Sequence, residues 1–294
     1  MDRTVTLGDA QAPLEQQLLG DVDPATVTLR PNLDWLIVCD HASNHIAAPL
    51  AGLGLNDRDA RDHIAWDIGA AKVATIIAER LDAPSILCNH SRLVIDCNRY
   101  PDADDAAPAV SDEVRIPGNG ALTAAQRRER VERIAHPYHR TIAAHLDHAI
   151  AAGRTPIFLS IHSCTSTMGG RFRPWHIGLA HARDLRFTGP LLDVLRRQTD
   201  VPIGDNQPYD MELGGDFTTP EHAMTRGLAH MQVEFRNDLI ADDDGVRHYA
   251  DLLATAIETV AADTAVMADC RKIRHYLRAD DPVRYSYAPR PATF

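Results

Sequence analysis

Short apolar runs alternate along the chain with segments of helical period. Residues 35–40, WLIVCD, form the first such run and predict a buried central strand. Residues 67–81, DIGAAKVATIIAERL, repeat apolar side chains three and four apart and predict a helix. Two further runs, PSILCNH (84–90) and RLVIDCN (92–98), have the character of strands. Residues 100–120 are rich in Pro, Gly and Asp and read as a long loop, of a length that is uncommon and often functional. A helix is predicted over 122–153, with Thr123 as its N-cap, Gly153 as its stop and Pro137 kinking or dividing it. Then come a strand at PIFLSIH (156–162), a strand at 175–180, a helix around GPLLDVLRRQT, a strand at 229–237 and an amphipathic helix over 245–267. Residues 1–30 read as an irregular lead-in, and residues 1–294 as one domain. Strands alternating with helices predict an α/β fold in three layers, its central sheet mostly parallel or mixed, with helices on both faces.

In such sheets ligands bind beyond the carboxyl ends of the strands. Those ends are polar here. CDHASNH supplies Asp40, His41, Asn44 and His45, and VIDCNR supplies Asp96, Asn98 and Arg99. FLSIHSC carries His162 at the tip of an apolar run, and MQVEFRND carries Glu234, Arg236, Asn237 and Asp238. Each residue also has a plain structural reading. A histidine at a strand end is commonly just hydrogen-bonded, Glu234 can pair with an arginine, Asp96 with Arg99, and Ser43 or Asn44 can cap a helix. Their joint placement favours a site. Catalytic zinc takes three His or carboxylate ligands, keeps one position open, and lowers the pKa of its water toward about 7. His41 and His162 would supply two ligands and a carboxylate the third. Glu234 suits a general base, and Arg99 a clamp for a substrate carboxylate.

Composition narrows the choice. The chain has 294 residues, 45% hydrophobic and 24% charged, enough for a sizeable core without metal or disulfide staples. Acidic residues outnumber basic ones 41 to 30, for a net charge of −11, which argues against nucleic acid or an anionic membrane as partner. A small molecule is the expected partner; oligomeric state stays open. Five widely spaced cysteines with no C-x-x-C pair argue against a disulfide framework or a Cys-rich zinc site and fit a reducing cytoplasm. The first residues contain acids and no apolar core of a secretory signal, and no apolar stretch is long enough to predict a membrane span.

The blocks CDHASNHIAAPL, HIAWDIGA, SRLVIDCNR, SIHSCTSTMGGRFRPWHIGL, DNQPY and HAMTRGLAHMQVEFRNDLI, in order from about residue 34 to 261, resemble the N-formylglutamate amidohydrolase family. More distantly they resemble zinc carboxypeptidases and aspartoacylase-type amidohydrolases, which implies a zinc-exopeptidase-like fold. The resemblance implies His41 and His162 as zinc ligands, Asn98 and Arg99 as carboxylate binders and Glu234 as general base. The carboxypeptidase pattern has Glu three residues after the first His, where this chain has Asn44, and an amide oxygen is a poor zinc ligand. Asp67, in AWDIGA, is therefore preferred as the third ligand, although it reads equally as a helix cap. Arg171 and Arg173 are expected either to reach a second carboxylate or the oxyanion, or to lie on the surface. His139, His222 and Arg226 are open between site and surroundings. Cys164 reads as a buried small hydrophobe rather than a nucleophile. The expected reaction is metal-dependent hydrolysis of an N-acyl amino acid, N-formylglutamate foremost, with zinc or another divalent metal. The alternatives are another N-acyl amino acid or peptide amide, a cysteine hydrolase using Cys164, or a binding protein that has lost the metal, which Asn44 would favour.

Overall fold

The computed structural model describes residues 22–211 and 215–277. Its strands are β1 (Ala25–Thr28), β2 (Trp35–Cys39), β3 (Ser85–Cys88), β4 (Val110–Ser111), β5 (Val114–Arg115), β6 (Ile157–Cys164), β7 (Thr167–Met168), β8 (Arg171–Phe172), β9 (Ile177–Ala180), β10 (Ile203–Asp205) and β11 (His230–Arg236). The α-helices are α1 (Ala70–Arg80), α2 (Ala124–Arg130), α3 (His136–Ala151), α4 (Thr188–Gln198), α5 (Asp243–Ala262) and α6 (Thr264–Cys270).

The apolar runs are buried on both faces because helices cover both sides of one seven-stranded sheet, ordered β1-β3-β2-β6-β11-β9-β10. Alternate residues of β2 divide between the layers. Trp35, Ile37 and Cys39 pack with residues of α1, α4, α5 and α6, whereas Leu36 and Val38 pack with Tyr138, Ile142 and Leu146 of α3. The sheet is mixed. β3, β2, β6 and β11 run parallel, β1 and β9 pair antiparallel at either side, and β10 follows β9. From β2 the chain passes through α1 to β3 on one side, and later returns through α3 to β6 on the other. The connections thus diverge between β2 and β6, which opens a crevice at their carboxyl ends.

Four local expectations change. Residues 93–98 are buried but form turns, with Val94 N bonded to Ser91 O at 2.9 Å and Asp96 N to Ala106 O at 2.7 Å. A short apolar run marks burial and cannot by itself separate a strand from a buried turn. Pro137 interrupts the α-helical run only by a π turn and does not end it. Thr123 caps α2 in a reciprocal capping box with Gln126, and a π turn over Val131–Ala135 leads without a break into α3. Pro137 has no N–H for the Arg133 carbonyl, and the wider turn falls where that bond would be missing. The long C-terminal helix is two helices. Asp263, at φ −79 and ψ 102, accepts hydrogen bonds from Ala265 N and Val266 N and caps α6. The apolar stripe runs on through Met267 and Cys270, which hides the break from periodicity. Within the lead-in, residues 25–28 form the edge strand β1, while residues 1–21 lie outside the described residues. The 100–120 loop contains short 3₁₀ turns and the β4–β5 hairpin. Among the described residues, no helix is long and apolar enough to cross a membrane.

Candidate metal centre and active site

Three segments meet at the crevice. His41 follows β2, and His162 lies in β6, two residues before its end, because the strand continues to Cys164. Asp67 arrives on the turn into α1. Its N–H bonds to His41 O at 3.0 Å and its own carbonyl accepts from Ala70 N at 3.1 Å. The helix begins at Ala70 with Gly69 as N-cap, so the Asp67 side chain does not cap it. Gly69 sits at φ +80, and a Cβ there would lie 2.2 Å from Ile240 O. Only glycine permits this tight passage, which leaves the Asp67 carboxylate aimed at the crevice.

The Asp67 Oδ2 lies 3.3 Å from His41 Nδ1 and 3.0 Å from His162 Nδ1. These three side chains, 2%, 3% and 2% exposed for His41, Asp67 and His162, form a buried group that could hold a metal ion. Their donor atoms lie within 4.8 Å of one another. The far nitrogens are held by other groups. His41 Nε2 is 2.7 Å from Asp96 Oδ1, and Asp96 is in turn fixed by Arg92 Nη2 at 2.7 Å and Asn98 N at 2.8 Å. His162 Nε2 is 2.9 Å from Ser160 Oγ and 3.3 Å from Asp40 Oδ2. Each ring thus lies between carboxylates, Asp67 at Nδ1 and Asp96 or Asp40 at Nε2, and with a cation at Nδ1 the outer carboxylate would keep the proton on Nε2. The two Nδ1 atoms and Asp67 Oδ2 would then be the donors facing the cation. That donor set suits a divalent cation of the zinc type.

Histidines and carboxylates stabilise each other's charges across the group. Burial works against the charge on Asp67, yet His41 and His162 hold its carboxyl far below the usual range. Burial likewise opposes charging His162, but Asp40 and Asp67 raise its pKa well above normal. Glu234, on β11, is paired in register with His162 across the parallel β6–β11 ladder. Burial pushes its pKa up to about 8, with the charges of Asp67 and Asp216 adding to the effect.

A cavity of about 300 Å³ opens over this group. His41, Asp67, His162, Glu234, Asn98 and Arg99 all line it, as do Arg92, Tyr209 and Asp216. Arg99 pairs with Asp105 at 3.1 Å and Asp216 at 3.4 Å. Asn98 braces the far wall: its Oδ1 accepts from Phe217 N and Thr218 N, and its Nδ2 donates to Asp216. Arg173 lies over the Tyr209 ring at 4.8 Å and donates to its hydroxyl at 3.1 Å. Arg171 is exposed on the β7–β8 hairpin. Asn44 sits off the cavity and donates to Ala60 O. His139 and His222 stack with each other inside the core, ring centroids 5.2 Å apart, and Arg226 pairs with Asp147 at 3.0 Å. Burial raises the Cys164 thiol pKa far above normal, which leaves it a poor nucleophile.

Sequence reasoning did not single out Arg92, Tyr209 or Asp216, and it saw Asp96 as a partner for Arg99 rather than for His41 and Arg92. A signal existed for Arg92, four residues before Asp96 within the SRLVIDCNR block, and for Tyr209 in DNQPY. None existed for Asp216.

Comparison with known proteins is consistent with this architecture. A gene product of Agrobacterium tumefaciens with a known crystal structure is 33% identical, with a TM-score of 0.77, covering 83% of this chain and 97% of that one. The N-formylglutamate amidohydrolase of Ralstonia eutropha JMP134 shares the fold at 17% identity, with a TM-score of 0.55, covering 82% of this chain and 98% of that one. No curated protein matches the chain. The family model for N-formylglutamate amidohydrolase matches residues 33–241, which take in every cavity residue named above. On that match, over most of its length, the chain belongs to the N-formylglutamate amidohydrolase family.

Proposed function

We propose that this protein is a metal-dependent amidohydrolase that cleaves the amide of an N-acyl amino acid, with N-formylglutamate as its foremost substrate and formate and glutamate as products. The single observation behind the metal is the convergence of His41 Nδ1, His162 Nδ1 and Asp67 Oδ2, with the far nitrogens facing carboxylates. His41, Asp67 and His162 would hold a divalent cation, zinc first among candidates, which would supply polarisation of the amide carbonyl and a more acidic water. Glu234 takes a proton from the attacking water and passes it to the departing amine nitrogen. Its buried position in register with His162 keeps that proton away from bulk solvent. Arg99 and Arg173 hold the substrate carboxylates, Arg99 from the cavity wall and Arg173 from its stack on Tyr209. Asn98 maintains Asp216 and the wall behind Arg99. Arg92 neutralises Asp67 and Asp96, so that the ligand shell does not repel an anionic substrate. The five cysteines, all buried and free, fit a reducing compartment such as the cytoplasm.

Metal analysis of the purified protein is expected to find close to one divalent ion per chain. Formate release from N-formylglutamate should disappear on chelation and return with zinc. Turnover that persists after complete metal removal overturns the metal mechanism. A clear preference for another N-acyl amino acid in the same assay overturns the substrate.

A further inference from the structure

His162 has an ambiguity that His41 lacks. The Nε2 of His41 meets a carboxylate at 2.7 Å, and that group can only accept. The Nε2 of His162 meets Ser160 Oγ at 2.9 Å, and a hydroxyl can either donate or accept. If Ser160 donated, the ring proton would sit on Nδ1 and point at Asp67, the wrong tautomer for a ligand. Asp67 accepts at Nδ1 at 3.0 Å, and the carboxylate placed to draw the proton to Nε2 once a cation takes Nδ1 is Asp40. Its Oδ2, buried and with no hydrogen bond of its own among the described residues, lies 3.3 Å from the same Nε2, and its Oδ1 accepts from Thr218 Oγ1 at 2.7 Å and Tyr138 OH at 2.9 Å. Both hydroxyls fall on one oxygen, which turns the other toward His162. All these groups are sealed from water: Asp40 is 1% exposed, and Tyr138, Thr218 and Ser160 are 0%. Each comes from a different part of the fold, Tyr138 from α3 just beyond the π turn and Thr218 from the segment before β11. A buried carboxylate with no basic partner of its own other than a histidine is costly to keep, which argues for a role.

We propose that Asp40, oriented by Tyr138 and Thr218, is a positioning residue that holds His162 as its Nε2–H tautomer and so presents Nδ1 to the metal. This rests on the metal reading of the site given above. Asp40 itself touches neither substrate nor cation. Ser160 then accepts from the same N–H and passes no proton.

The test is zinc affinity of the metal-free protein, measured by competition with a chromophoric chelator, alongside the melting temperature of each metal-free variant. Tyr138→Phe and Thr218→Val each delete one hydroxyl with little change of shape. They are expected to weaken zinc binding several-fold, and Asp40→Asn by about 10–100-fold, as for other outer partners of ligating histidines. Thr218→Ser keeps the hydroxyl and should retain parental affinity. Unchanged zinc affinity in Asp40→Asn and Tyr138→Phe overturns the proposal, as does a fall in melting temperature with affinity intact, which marks a purely structural network. If the parent protein itself takes up no zinc, the metal reading fails and this inference with it. If the parent binds and the variants bind equally, only the inference fails.

Discussion

Glu234 and His162 occupy the same level of two neighbouring strands, and the proposed division of labour between them can be separated by mutation. Glu234→Gln preserves shape and hydrogen bonding but cannot carry a proton. Formate release should fall by about 10²–10⁴-fold with metal content unchanged, which parallel kinetics and metal analysis would show. Retained activity would remove Glu234 from the proton path. At this scale the sequence was informative where a polar residue ended an apolar run. His41, His162 and Glu234 stand out as polar groups at the ends of apolar runs, although β6 and β11 each continue two residues past His162 and Glu234. Asp67 was legible only through the resemblance, since a carboxylate just before a helix is an ordinary cap. Asp216 was not legible at all, because nothing near it in sequence says that Asn98, Gln232 and Arg99 will gather around it.

Among the elements, the turn into α1 is the most constrained. Gly69→Ala places a methyl group against the Ile240 carbonyl at a positive φ. It is expected to cost well over 1 kcal/mol of stability and to weaken metal uptake by displacing Asp67, both measurable by thermal unfolding with and without zinc. A variant with parental melting behaviour would show that the passage relaxes freely. Asp263→Ala tests a different claim. Loss of the α6 cap should cost about 1 kcal/mol in denaturant unfolding and leave catalysis alone. The strand and helix order was readable from periodicity, yet the π turn, the α5–α6 break and the 92–98 turns were not. In each case the apolar pattern continues unchanged while the backbone does something else, because pattern reports what is buried and only caps, missing N–H groups and tertiary bonds report how.

Over the whole molecule, buried histidines link stability to pH. His139 is enclosed in the core, its Nε2 2.9 Å from Cys97 O, and burial pushes its pKa down to about 4. An unfolded histidine titrates near 6.5, so between roughly pH 6.5 and 4 the unfolded chain binds more protons than the folded one. Stability from this site is complete above that window and is lost as pH falls through it, by about 3 kcal/mol in all. Melting temperatures taken from about pH 7.5 down to 5 should decline more steeply for the parent than for His139→Gln. Equal slopes would exclude His139 as the source. The β6–β11 pairing has a wider consequence. These strands are partners in the sheet although residues 165–229 separate them, and that span supplies the β7–β8 hairpin, Arg173, Tyr209 and Asp216. The β6–β11 ladder sets His162 level with Glu234, while β9, from the intervening stretch, flanks β11 on its other side and sets Gly178 opposite Glu234. Among the described strands of that stretch, only the β7–β8 hairpin stands outside the seven-stranded sheet, so substitutions there would reshape the approach to the cavity and leave the strands that carry His162 and Glu234 in place.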